Sequence, residues 1–540
     1  MINSIKSYIK SIFKLSPFIV SLYTVVLLIA IISIPLKCFD IALACAIYSI
    51  IILAVYCFRP KSVANHILVD DCKLTQKIIT IVVALITIAA LTLPMSINPL
   101  YNGEQPHHRN QYEIMAESIL SGHIDMYPDE DKSALEKLEN PYDPQQRTAA
   151  NAYFHWDHAY YNSHYYMYFG IVPVFLLFLP FRLITGTSLL TYHAVQIFVA
   201  LSIIGFFVLF YTLSKTFFKK MSFGMYIALS VGFSAMSFWY AVGVPTLYTV
   251  PITSGICLMI WSIYFFIKAV YIEKTENRQI IFAFFGALLG ALAFGCRPPI
   301  ALANIIIIPM LIVFLKQRKF TLKLLLKLIY AASPYFIIAI LLMVYNYVRF
   351  ESPFEFGQSY QLTVADQTVY TSILDSFNLK NQINGLVNNF IKYNDVSEKF
   401  PYIAHNGAFI NFPILLLCFA AFKPAVYKKL KENKLNYLVI TMFITLVLIT
   451  AIDVLWSPYI LERYRMDIYF IMAILCFIVI GFFHSTIKAE NQNKFSCFIM
   501  IFSLFTFITS IVLFLIPADA NYTLLHPEIL ENIKNFLFLK

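Results

Sequence analysis

Apolar runs, each about as long as a membrane crossing, recur along nearly the whole chain, and short basic loops or two long polar stretches separate them. A bilayer core of about 30 Å takes roughly 20 mostly apolar residues in a helix. Runs of that kind occupy residues 17–36, 40–58, 78–97, 166–186, 190–214, 222–242, 247–272, 279–296, 299–315, 325–347, 407–423, 435–455, 466–483 and 495–516. Lipid gives a backbone N–H or C=O no partner, so each run must be helical. The pattern predicts an all-α, polytopic transmembrane helix bundle.

Basic loops set the expected orientation, because Lys and Arg concentrate on the cytoplasmic side. Residues 59–77, 215–220, 316–327, 423–434 and 488–494 are expected to be cytoplasmic, with the N-terminus. Two long outer loops, 98–165 and 349–406, and the C-terminal tail then lie outside. Between the first outer loop and Lys215 an odd number of crossings is required, but two apolar runs stand there. The run with Pro173 and Pro180 is expected to be broken or re-entrant, since proline removes a helix donor; about 13 full crossings remain. The chain divides into an N-terminal two-helix hairpin with its basic loop (1–77), a transmembrane core with the first outer loop (78–348), the second outer loop (349–406) and a C-terminal group of helices with an outer tail (407–540). Lys6, Lys10 and Lys14 precede the first run as in a signal peptide, but no small-residue cleavage site follows, so a retained span is expected.

Each outer loop carries an amphipathic pattern. Tyr112, Met115, Ala116 and Ile119 follow helical spacing, Gly122 stands at the C-cap position, and Glu113, Glu117 and Ser118 take the other face. A helix along the membrane surface is expected there. A second short helix is expected from Asp129 to Glu139, and Ile383, Leu386, Val387, Phe390 and Ile391 form a stripe in the second loop.

Composition agrees with the pattern. Hydrophobic residues are 59% of 540 and charged residues 13%, against about 25% charged in soluble domains. The net charge of +10 sits in the short loops, which fits membrane orientation and not nucleic-acid binding. Cysteines fall mostly inside apolar runs without CxxC spacing, so neither a disulfide framework nor a thiolate metal site is expected.

Chemistry concentrates in the outer loops. The first holds His107, His108, His123, His155, His158 and His164 with Glu104, Asp125, Asp143 and Asp157. The spans carry almost no ionisable groups away from their ends, which argues against an ion-coupled transporter. Imidazoles at His155-x-x-His158 and His107-His108 offer metal ligands, but a wet loop commonly carries them, and neither a metal nor another cofactor is expected. Arg297, Arg349, Arg463 and Arg465 depart from the positive-inside bias and need partners. A lipid phosphate is one, since guanidinium binds phosphate through two parallel hydrogen bonds; a loop carboxylate is another.

The layout resembles the GT-C superfamily of membrane glycosyltransferases, which includes protein O-mannosyltransferases and the lipid A aminoarabinose transferase. Three segments carry the resemblance: Tyr112 to Gly122, Trp156-Asp157-His158-Ala159-Tyr160-Tyr161-Asn162 leading into Tyr165 to Pro173, and Asn346-Tyr347-Val348-Arg349-Phe350 to Gly357. It implies a bacterial plasma-membrane enzyme moving a sugar from a polyprenyl-phosphate carrier to a glycan, lipid or protein acceptor outside. The family's acidic pair before the surface-helix tyrosine reads His108-Arg109 here, leaving Glu104 and Asp157 as carboxylates for the base and His108 as an imidazole substitute. In this reading the four arginines hold the lipid phosphate, and His155, His158 and Tyr161 hold sugar or acceptor. The competing reading is a non-catalytic lipid-handling transporter or envelope-assembly scaffold with the same fold.

Overall fold

The computed structural model describes residues 56–97, 111–369, 377–395, 400–456, 461–516 and 527–536, together with positions 25, 28, 29 and 45. Ten helices among the described residues are long and apolar enough to cross a membrane. In chain order the principal helices are α1 (Leu74–Ser96), α2 (Gln111–Leu120), the shorter α3 (Val174–Thr185), α4 (Thr191–Phe217), α5 (Phe223–Gly243) and α6 (Thr249–Ile272). They continue with α7 (Glu276–Phe294), α8 (Pro298–Lys316), α9 (Leu322–Phe350), α10 (Leu379–Phe390), α11 (Asn436–Leu455), α12 (Glu462–Thr486) and α13 (Ala489–Phe514). The chain is a multi-pass membrane protein. The expected runs at 17–36 and 40–58 lie largely outside the described residues.

Layering follows from burial. In α12, 94% of the most apolar stretch is buried, against 11% in α9. Both are strongly apolar, with mean hydropathy 2.5 and 2.1, so burial and not composition makes α12 the centre and leaves α9 facing lipid. Around α12, Phe477 stacks on Phe210 of α4 with ring centroids 4.1 Å apart. Phe218 meets Phe482 edge-on at 4.9 Å.

Two expected spans are shortened. α3 consists of a five-residue π turn and seven α-helical residues. At 1.5 Å per residue it reaches only about 18 Å, well short of the hydrocarbon thickness, which removes the extra crossing that parity forbade. The 407–423 run is not one helix but Ala408–Asn411 followed by the 3-10 helix Pro413–Phe422. Pro413 interrupts the α ladder, and the tighter 3-10 winding lengthens the piece to about 20 Å.

The succession of helices puts the ends of α1, α5, α7, α9, α11 and α13 and the starts of α4, α6, α8 and α12 on one side of the bundle. The basic loops collect at the opposite ends.

In the first long loop, α2 ends at Gly122, whose φ is +83°, as its spacing predicts. However, Glu113 does not face solvent. Its Oε1 accepts from the Thr191 N–H at 2.9 Å and from the Thr191 hydroxyl at 3.0 Å. It therefore satisfies an orphan donor at the start of α4. Ser118 is buried too, so α2 is clamped to the bundle. The helix expected over 129–139 contracts to Ser133–Glu136. After it comes a hairpin, β1 (Ala159–Tyr161) against β2 (His164–Tyr166), antiparallel with Tyr160 opposite Tyr165.

In the second loop α10 turns its apolar stripe outward, with Ile383, Val387 and Ile391 exposed. Its other face grips α11: Asn389 Nδ2 donates to Thr450 Oγ1 at 3.1 Å and Gln382 Nε2 to the Ala451 carbonyl at 3.2 Å. A helix with its oily side exposed is suited to the lipid boundary.

Candidate functional site

The two long loops are stitched together, and the stitching creates the site. Asp157 N–H donates to the Leu362 carbonyl at 3.0 Å, Leu362 N–H to the His158 carbonyl at 2.9 Å, and Tyr160 N–H to the Tyr360 carbonyl at 2.9 Å. Arg147, almost fully buried, donates to the carbonyls of Pro141 at 2.7 Å and Thr363 at 2.5 Å. Asp157 itself adopts φ +58°, a left-handed conformation that aspartate tolerates better than most residues. That twist reverses the chain ahead of the hairpin.

Beneath the stitched loops lies a cavity of about 650 Å³. Asp157, Tyr248, Arg297, Arg349, Asp453 and Arg463 all line it, and Phe169, Phe294, Leu302 and Leu342 supply apolar wall. Close approach at its rim needs a glycine. A Cβ on Gly170 would stand 2.3 Å from the carbonyl oxygens of Gly295 and Cys296.

Asp157 is partnered on both oxygens. Gln361 Nε2 donates to Oδ1 at 2.9 Å, and the Tyr248 hydroxyl makes a very short bond to Oδ2. Burial raises its pKa above the usual carboxylate value, opposed by the Tyr248 bond and the charge of Arg463. Burial and the neighbouring Asp157 raise the Tyr248 hydroxyl as well, so tyrosine stays the proton donor in the pair. The Arg463 guanidinium lies 4.5 Å from the centre of the Tyr248 ring, and no carboxylate stands within ion-pair distance of it among the described residues. One tyrosine thus touches both a carboxylate and a guanidinium across a single cavity.

The arginines divide into different roles. Arg297 is committed to carboxylates: its Nε stands 3.0 and 2.7 Å from the two Asp467 oxygens, its Nη2 2.6 Å from Oδ2, and Asp453 lies 3.9 Å away. Burial disfavours its charge, but Asp467 and Asp453 more than offset this and raise its pKa. Its Nε and Nη2 are thus taken by Asp467, which leaves Arg297 less suited to hold a phosphate than Arg463. Arg465 points away from the cavity, donating to the Asn406 carbonyl at 2.6 Å and pairing with Glu462 at 3.0 Å. It fastens the turn that carries Arg463 and is not a ligand-facing group. Arg349 lines the cavity, with Nη1 on the Met167 carbonyl at 2.8 Å and Nη2 on Asn346 Oδ1 at 2.7 Å. Its Nε has no partner.

The residues expected to hold sugar or acceptor lie outside this cavity. His155 Nε2 binds Glu130 at 2.6 Å and its ring stacks on Tyr127 at 3.9 Å. His158 is buried, its Nδ1 2.9 Å from the Trp156 carbonyl, and burial lowers its pKa to about 3. Neutral at physiological pH and enclosed, this imidazole packs against the Tyr127 and Tyr165 rings. The Tyr161 hydroxyl donates to Glu351 at 3.2 Å, and its ring packs on Phe350 and Tyr360. Glu104 and His108 lie outside the described residues, as does His107. Among the described residues no group of three His, Cys, Asp or Glu side chains is gathered as a metal site.

Sequence reasoning missed Tyr248, Asp453 and Asp467. Tyr248 carries no signal, being one of 35 tyrosines. The two aspartates carried one: each is a carboxylate at the edge of an apolar run, and ionisable groups at membrane depth mark function or a partner. Asp453 is 2% exposed, and its Oδ2 has no hydrogen-bond partner. Compared with known proteins, the chain matches no family model, no curated protein and no solved structure.

Proposed function

We propose that the protein is a membrane glycosyltransferase of the GT-C type, acting at the outer face of a bacterial plasma membrane. Its donor is a sugar on polyprenyl phosphate and its acceptor a glycan, lipid or protein. The observation that carries this reading is the Asp157–Tyr248–Arg463 arrangement on one cavity wall, with the Arg349 guanidinium facing the same space.

The chemistry follows from those groups. An acceptor hydroxyl attacks the anomeric carbon of the donor, and Asp157 takes its proton as general base. The bond between that carbon and the phosphate oxygen breaks, and its electron pair leaves with the phosphate. Arg463 and Arg349 offset the charge that develops there. A raised carboxylate pKa makes Asp157 a stronger base, and the apolar wall of Phe294, Leu302 and Leu342 suits the first isoprene units of the carrier. Arg297 and Arg465 act indirectly, holding α12 and its first turn in place.

The test is transfer by purified protein from radiolabelled polyprenyl-phosphate sugars, with wild type beside Asp157→Asn, Glu104→Gln and Arg463→Gln. Asp157→Asn is expected to lower the rate by about 10²–10⁴-fold and Arg463→Gln by about 10²-fold. Wild-type turnover matched by all three variants ends the assignment. The non-catalytic lipid-handling reading draws support from one observation: both Asp157 oxygens already accept bonds within the protein. It predicts polyprenyl-phosphate binding without transfer to any acceptor offered.

A further inference from the structure

A second cavity lies at the opposite end of the bundle from Asp157, between α6, α7, α8 and α9. It is a slot of about 220 Å³ lined almost wholly by apolar atoms. Small residues create it: Ala269, Ala283, Ala287, Ala331 and Ala332 stand where the four helices converge, and none fills the gap between Phe266 and Phe314. Its inner end is closed by polar groups that satisfy each other. The Tyr335 hydroxyl donates to Asn304 Oδ1 at 2.7 Å, and Asn304 Nδ2 donates to the Gly290 carbonyl at 3.0 Å. The interior therefore offers nothing to a polar ligand and suits a hydrocarbon chain.

The mouth is different. Arg318 borders it, its guanidinium 3.7 Å from the centre of the Phe314 ring, its Nη1 donating to the Phe314 carbonyl at 2.7 Å and its Nη2 to Oε1 of the lining residue Gln279. Phe314 is itself a wall of the slot. Around this point residues 268–278 and 316–327 contribute eight Lys and Arg but only two acids, Glu273 and Glu276. Those two are shared. Glu273 lies 4.0 Å from Lys268 and 3.9 Å from Arg278, while Glu276 meets both Lys327 and Arg318. Lys274, Lys316, Lys319 and Lys323 have no carboxylate within ion-pair distance among the described residues. An apolar slot with an unneutralised cationic rim matches a molecule with a hydrocarbon tail and an anionic head.

We propose that this slot binds an anionic phospholipid of the surrounding bilayer, with one acyl chain between α7 and α9 and the phosphate among the rim lysines Lys316, Lys319 and Lys323. The assignment is independent of the transferase reading, because the slot and the Asp157 cavity occupy opposite ends of the bundle. A zwitterionic lipid with the same chains fills the slot equally well but gains less from the rim, where each nearby cation favours an anionic headgroup.

Native mass spectrometry of delipidated, detergent-solubilised protein tests this with phosphatidylglycerol and phosphatidylcholine of identical acyl chains. The expected result is about tenfold greater retention of phosphatidylglycerol. Ala283→Leu with Ala331→Leu, which fills the slot, and Lys319→Gln with Lys323→Gln, which weakens the rim, should each lower that retention to the phosphatidylcholine level. Leu326→Phe, on an exposed face, should leave it unchanged. Equal retention of the two lipids by wild type overturns the proposal, as does a folded slot-filled variant that keeps its phosphatidylglycerol. If slot filling prevents folding, the rim variant decides, and unchanged preference there overturns the proposal as well.

Discussion

Replacing Arg297 with glutamine removes the cation paired with two buried carboxylates, Asp467 and Asp453. Asp467 is fully buried and Asp453 is 2% exposed, and the guanidinium makes three contacts of 2.6–3.0 Å with Asp467 alone. Breaking a buried ion pair from one side costs about 3–5 kcal/mol, because the remaining charge stays desolvated. That is roughly two to three and a half orders of magnitude in the folded-to-unfolded ratio. The measurement is unfolding of purified protein in mixed micelles titrated with SDS, followed by near-ultraviolet circular dichroism. Arg297→Gln should shift the midpoint strongly, whereas Arg297→Gln with Asp453→Asn and Asp467→Asn should recover much of the loss. The cost lies in stranded charge and not in lost packing, so the neutral triple variant isolates it. If the single variant unfolds within about 0.5 kcal/mol of wild type, or the triple variant is no better than the single one, the argument is wrong.

Other consequences concern the loops. Transfer should fall on acidification at a pH above the ordinary aspartate range, because the Asp157 base must be ionised and burial raises its pKa; a pH–rate profile that stays flat to pH 4 contradicts this. His158 titrates near 3 when folded and near 6.5 when unfolded, so below pH 6.5 the unfolded chain binds more protons. Stability present above pH 6.5 should therefore be lost as the pH falls, by about 2 kcal/mol at pH 5 from this residue. The loss should be smaller in His158→Gln, measured by the same SDS titration. Gly170→Ala should displace the rim of the cavity, since its Cβ meets the Gly295 and Cys296 carbonyls at 2.3 Å. A cost of about 1–3 kcal/mol is expected, read as a lowered unfolding midpoint.

Hydrophobic patterning determined this fold class without help. Most apolar runs from 78 onward reappear as one long helix, because a lipid environment leaves the backbone no alternative; the runs 166–186 and 407–423 do not. Two runs changed helix type next to a proline, at Pro173 and Pro413, whereas α1 and α9 pass through Pro94 and Pro334 as continuous helices, a difference that composition does not encode. The sequence offered Asp157 beside Glu104 as a carboxylate of the first outer loop, and Arg463 beside three other arginines that depart from the positive-inside bias. Only tertiary structure decided which of the suspected groups meet. Arg297, Arg349, Arg463 and Arg465 look alike as letters, yet Asp467 takes the first, Met167 and Asn346 the second, a carbonyl and Glu462 the last, and Arg463 lines the cavity with no carboxylate in ion-pair distance among the described residues. The pairing depends on side chains brought together from positions such as 297 and 467, whose approach is set by the packing of α7, α8, α11 and α12. No local pattern carries a distance of that kind, because the energy that fixes it belongs to the assembled bundle.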